Sequence, residues 1–160
     1  MKVIGIDPGF GRLGWAVLEG DKKRQEVLKV GCLETDPKKQ LSQRLLEVNE
    51  FVQELIHEHQ PDEAAVEELY YFKNAKTVIG VGQAMGAVMV AFEKNEVKVN
   101  TYTPLQVKST VAGYGKADKK QVQEMTKTLL NLKSIPKPDD AADALAVSYC
   151  HINTNPKMSQ

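Results

Sequence analysis

Apolar and polar positions change rhythm twice along this chain. Lys2–Ile6, Leu13–Leu18 and Glu26–Leu33 are short β-rich stretches, separated by the turn signals Asp7-Pro8-Gly9 and Glu19-Gly20-Asp21. Connections this short favour antiparallel hairpins. From Asp36-Pro37, read as an N-cap with proline at the first helical position, the period becomes helical. Leu41, Leu45, Val48, Val52, Leu55 and Ile56 carry that helix until Pro61. Residues 64–67 then predict a short buried strand. A second helix is expected over Ala75–Phe92, capped by Asn74, with Val78, Met85, Met89 and Phe92 on one stripe. Gly82 and Gly86 on that helix point to close packing of another backbone, with core packing the first reading. Val97–Thr103 reads as a strand. A helix over Asp118–Leu132 is expected to bury Val122, Met125, Leu129 and Leu130. Pro136-Lys137-Pro138 breaks the chain before a last helix, capped by Asp139 and reaching His151.

The order β-β-β-α-β-α-β-α-α predicts an α/β fold. Three antiparallel strands followed by alternating helix and strand make a mixed five-stranded sheet, with helices on both faces. The length, 160 residues, fits one domain, taken as residues 1–152 with a polar tail at 153–160. No apolar run is long enough for a membrane helix, and the N-terminus lacks the pattern of a secretory signal. Cys32 and Cys150 read as small buried hydrophobes in a reducing compartment, and a cytoplasmic location is expected.

Charge balances at 21 basic and 21 acidic residues, but unevenly along the chain. Residues 41–70 hold one arginine against eight acids, whereas 101–137 hold seven lysines against Asp118 and Glu124. A neutral chain can therefore present a basic face to a polyanion, although a solvated helix surface reads the same way.

The informative acids are those that interrupt apolar structure. Asp7 ends the first strand, Glu67 ends the fourth beside Glu68, and Asp140 and Asp143 stand three apart on the last helix. Read singly they are a turn residue, a strand-edge glutamate and helix-capping residues. Read together, with the first and fourth strands adjacent, they suggest one metal site. Oxygen-only donors favour Mg²⁺ or Mn²⁺ over zinc. His57 and His59 do not share a helix face, and no phosphate-binding glycine motif or serine elbow is present.

Several motifs in order then carry a resemblance: Ile4-Gly5-Ile6-Asp7-Pro8-Gly9, Val66-Glu67-Glu68-Leu69-Tyr70, Lys73-Asn74-Ala75, Gly82-Gln83-Ala84, Gln106-Val107-Lys108 and Asp140-Ala141-Ala142-Asp143-Ala144-Leu145-Ala146. Over residues 1–152 the chain resembles the RuvC Holliday junction resolvases. The resemblance implies a ribonuclease H-like fold and a Mg²⁺-dependent crossover junction endodeoxyribonuclease. Such an enzyme acts by paired symmetric nicking, leaving 5′-phosphate and 3′-hydroxyl ends. It implies Asp7, Glu67, Asp140 and Asp143 as catalytic and metal-binding acids, holding two Mg²⁺ with Mn²⁺ as substitute. Lys108 and Lys119 fall near the scissile phosphate and Tyr70 is the base-stacking aromatic, with Lys116 and Lys73 as further DNA contacts. The implied partners are a four-way DNA junction, a second copy of the chain and the RuvA–RuvB branch-migration complex. The Ala75–Phe92 helix is a candidate dimer surface. Two positions depart from the pattern: Leu13 stands where relatives usually carry threonine, and Met85 where many carry arginine. A related nuclease acting on structured RNA and a non-catalytic junction-binding protein are the rival readings.

Overall fold

Strand alternation in the first element decides which way the rest of the molecule faces. In the computed structural model, which describes residues 1–9, 11–68 and 75–154, β1 spans Lys2–Pro8. Val3 packs on one side of it, Ile4 and Ile6 on the other, each fully buried. β2 (Arg12–Gly20) and β3 (Gln25–Glu34) complete an antiparallel meander, with a register shift at Val17/Leu18. α1 (Leu41–His59) leads to β4 (Glu63–Glu67), and α2 (Ala75–Lys94) to β5 (Lys98–Tyr102). Then follow α3 (Pro104–Ala112), α4 (Lys119–Leu129) and α5 (Asp139–Thr154). The sheet order is β3-β2-β1-β4-β5, with β4 parallel to both β1 and β5. The expected mixed sheet with two helical layers is the observed one.

The layers follow the alternation. Ile4, Ile6, Leu13, Trp15, Val17 and Val66 bury against α1 and α2, where Val52, Val88 and Phe92 close the core. Val3, Ala16, Leu18 and Ala65 face the opposite layer of α3, α4 and α5. α5 lies unusually near the sheet because two glycines admit it. A Cβ on Gly5 would collide with the Ala144 carbonyl and the Ser148 hydroxyl, and one on Gly14 with the Asp140 backbone.

Several expectations are corrected. Asp36-Pro37 opens a turn, not the helix. Asp36 Oδ1 accepts from Lys38 N at 2.9 Å, and Gln40 supplies the helix cap through a box with Gln43. The chain adds a helix that hydrophobic period did not reveal. α3 has only two buried residues, Val107 and Val111, but Thr103-Pro104 with Gln106 is a complete capping signal. On α2 the buried stripe is Val81, Ala84, Val88, Ala91 and Phe92, with Met85 only partly buried. Gly86 has open space beside it and Gly82 is exposed, so neither serves core packing. On α4, Met125 and Leu129 face solvent at 38% and 41% exposure while Gln123 and Thr126 are buried. Asp139 is the first helical residue of α5, and Asn74 lies outside the described residues. Both cysteines are free, Cys150 buried and Cys32 half-buried. Among the described residues no helix is long and apolar enough to cross a membrane.

Candidate active site

Asp7 lies on the Val3-Gly5 face of β1, and Glu67 on the Ala65 face of its parallel neighbour β4. Gly5 pairs with Ala65 and Ile6 with Val66, so the two carboxylates fall one step beyond the last pair, side by side under α5. Glu68 points elsewhere: its Oε1 accepts from Thr101 Oγ1 on β5 at 2.8 Å. Alternation therefore separates the two adjacent glutamates into a site residue and a sheet-edge residue. Helix α5 supplies the other two acids from its first turns, held over β1 and β2 by Gly5 and Gly14.

The electrostatics report this convergence. Burial, followed by the charges of Glu67, Asp143 and Asp140, holds the Asp7 carboxyl well above the usual range, with Lys119 pulling the other way. Burial and then Asp143 push Glu67 up to about 7, against the lowering influence of Lys119 and Lys108. Burial also raises Asp143, despite its contact with Lys119 Nζ at 2.8 Å. Burial works against the Lys119 ammonium, but its bond to Asp143 and the charges of Asp139 and Asp7 outweigh that and raise it. Lys119 also lies 3.8 Å from Asp139, whose carboxyl it lowers.

Glu67, Asp143, Lys108 and Lys119 line an open cleft of roughly 600 Å³, walled by Pro104, Val107, Val122 and Ala146. Lys116 is exposed in the turn between α3 and α4 and is not among the cleft residues. Tyr70 and Lys73, expected to meet DNA, lie outside the described residues.

The donor set fits a hard divalent cation. The converging groups are carboxylates, and Cys32, a thiol that feels the Asp140 charge, is raised by burial first and so kept protonated. The acids do not form a preassembled cage: among the described residues no three His, Cys, Asp or Glu side chains close into a ligand group. Like charges in a poorly solvated cleft separate toward the nearest cations. Asp143 turns to Lys119, and Asp140 has Arg12 Nη1 at 3.9 Å. Arg12 was not among the expected site residues. Its signal was its place in the strand, two residues before Gly14 and so on the same face.

The two departures from the family pattern are absorbed by the far layer. Leu13 is 1% exposed and packs with Trp15 toward α1, and Met85 packs against the same cluster. Neither faces the acids.

A sheet in the order 3-2-1-4-5, with carboxylates at the ends of its first and fourth strands, is the ribonuclease H-like architecture. A family model described as crossover junction endodeoxyribonuclease RuvC matches residues 3–151. The crossover junction endodeoxyribonuclease RuvC of Petrotoga mobilis is 46% identical over 153 residues, covering 96% of this chain and 94% of that one. That of Desulforamulus reducens is 48% identical over 151 residues, covering 94% and 93%. Among solved structures, Thermus thermophilus RuvC in complex with a Holliday junction substrate superposes with a TM-score of 0.90 at 36% identity, covering 94% of this chain and 92% of that one. The yeast mitochondrial Holliday junction resolvase shares the fold, with a TM-score of 0.70 at 12% identity, covering 94% of this chain and 77% of that one. This chain belongs to the RuvC family of crossover junction endodeoxyribonucleases, which are metal-dependent nucleases.

Proposed function

We propose that this protein resolves four-way DNA junctions by hydrolysing one phosphodiester in each of two opposed strands, leaving 5′-phosphate and 3′-hydroxyl ends. The observation that carries the reading is the placement of Asp7 and Glu67 one step beyond the last register pair of two adjacent parallel strands, beneath the two aspartates of α5. Asp7, Glu67, Asp140 and Asp143 would hold two Mg²⁺ ions, which when bound neutralise charge at the phosphate and lower the pKa of an attacking water. Everything else is done by the chain. Burial leaves the Asp7 and Glu67 carboxylates poorly solvated, so they favour a compensating positive charge. Lys108 and Lys119 stand at the same cleft and direct positive charge toward the nonbridging oxygens of a strand lying across it. The wall of Val107, Val122 and Ala146 limits water on that side.

The substrate's approximate two-fold symmetry favours a C2 dimer with two sites. The exposed face of α2 suits that contact: Ile79 and Val90 are 61% and 50% exposed, and Gly86 leaves room for close approach. A branch-migration complex of the RuvA–RuvB kind is the partner that would deliver such junctions. Tyr70 remains the proposed base-stacking residue and Lys73 and Lys116 proposed backbone contacts.

The test uses purified protein with a synthetic four-way junction, linear duplex and structured RNA, in Mg²⁺ and in Ca²⁺. Paired symmetric nicks in the junction alone are expected, lost in Asp7→Asn with binding retained. Equal cutting of linear DNA, or cutting confined to RNA, would overturn the reading.

A further inference from the structure

We propose that Arg12 is a second phosphate contact for the scissile strand, on the side of the acid row opposite Lys108 and Lys119. The inference rests on the junction-resolving reading and deepens it.

Geometry brings Arg12 there. In β2, Leu13 and Trp15 face the α1 and α2 layer, and Gly14 faces α5 so closely that the Asp140 backbone fills its Cβ position. Arg12, two residues earlier on the strand, emerges on the face of Gly14. Across the sheet, the order β3-β2-β1-β4-β5 sets Arg12 on one side of Asp7 and Glu67. Lys108 follows β5, on the other side of them. A strand laid over the acids therefore meets cations on both flanks.

The side chain suits a phosphate. Arg12 Nε lies 3.2 Å from Glu34 Oε1, its cross-strand partner, and Nη1 lies 3.9 Å from Asp140 Oδ2. Neither contact uses Nη2, and 56% of the side chain is solvent-accessible. Glu34 is itself 64% exposed, so the ion pair is a surface pair and contributes little to stability. The pair leaves Nη2 of a planar guanidinium, a group suited to phosphate, open at the rim of the carboxylate cluster. Glu34 also competes with an incoming phosphate for the same guanidinium. Removing Glu34 therefore strengthens DNA binding, which a structural role for the pair would not do.

The experiment measures junction affinity by fluorescence anisotropy in Ca²⁺ across roughly 50–200 mM salt, and nicking in Mg²⁺ under single-turnover conditions. For Arg12→Ala, affinity falls about threefold to tenfold and the slope of log K against log salt shrinks by about 1. At subsaturating protein the nicking rate falls in step with that loss of affinity. Arg12→Lys keeps the salt slope and regains part of the affinity. Glu34→Gln binds the junction more tightly than wild type. Wild-type affinity and salt slope in Arg12→Ala would overturn the role of Arg12, as would equal weakening by Arg12→Ala and Glu34→Gln. If wild-type protein neither binds nor nicks the junction, the functional reading itself falls, and this inference with it. If wild type nicks normally and Arg12→Ala matches it, only the inference falls.

Discussion

The backbone of Asp140 fills the space that a side chain on Gly14 would need. That one contact fixes the height of α5 above β2, and with it the distance of two acids from Asp7. Gly5 does the same a strand away, beneath Ala144 and Ser148.

Gly14→Ala must therefore push the start of α5 off the sheet. The obstructing atoms are backbone, which cannot rotate aside, so about 2–3 kcal/mol of stability should be lost. Nicking should fall by about a hundredfold or more, since misplacement of about 1 Å at a reacting group is enough for that. Urea unfolding and single-turnover nicking of one preparation check both, with junction binding retained.

Glu67 sets a pH dependence that can be signed. Its carboxyl titrates at about 7 in the folded protein, against the ordinary value of 4.5. Between those values the folded state binds more protons than the unfolded one, so stability declines as pH rises. The contribution is complete below about 4.5 and lost above about 7, an effect on the order of 3 kcal/mol. Without divalent cations the urea midpoint should be higher at pH 5 than at pH 8. Glu67→Gln should flatten that slope, and Mg²⁺ at pH 8 should raise the wild-type midpoint through binding to the folded state.

Lys119 touches Asp143 and also lies near Asp139, yet more than half of its side chain is exposed. Lys119→Met should cost about 1–3 kcal/mol, because it leaves Asp143, only 25% exposed, without its partner. Its charge at the cleft matters more: nicking should drop by about 10²–10³, the magnitude found for loss of one transition-state donor. Binding in Ca²⁺ should change much less.

A buried polar network fixes the other end of α5. His151 Nε2 lies 3.4 Å from Glu63 Oε2, Tyr102 hydroxyl lies 2.8 Å from His151 Nδ1, and Asn100 donates to Glu63 Oε2 at 2.8 Å. Glu63 and His151 are 3% and 0% exposed. Glu63→Ala should cost about 3–5 kcal/mol, and Tyr102→Phe only about 1, because the phenol leaves behind a smaller unpaired group. Thermal unfolding of the two variants separates them.

The proposed dimer face is tested by Ile79→Glu with Val90→Glu. Neither side chain supports the core, so folding should persist while light scattering reports monomer in place of dimer. Paired cuts should give way to single nicks.

Much of this molecule is legible in its sequence because period is local. Alternation in the first three strands and the helical spacing of Leu41–Ile56 both name their elements, and alternation alone puts Asp7 among residues facing a single layer. Elements with few buried residues escape that signal: α3 has only Val107 and Val111 inside, and its evidence was the Thr103-Pro104 cap. The outward turn of Met125 and Leu129 was illegible for a related reason, since period gives a face but not whether anything covers it.

Residue order along the chain names the groups able to carry the chemistry: four acids in a family pattern, and lysines clustered between Glu67 and Asp140. How those acids stand toward one another follows from packing. Register between β1 and β4 carries Asp7 and Glu67 side by side just beyond its last pair, two glycines let α5 descend, and Lys119 and Arg12 draw Asp143 and Asp140 toward opposite flanks. Coulombic balance among buried charges depends on distances between segments far apart in the chain, and those distances exist only after the sheet and its helices have packed.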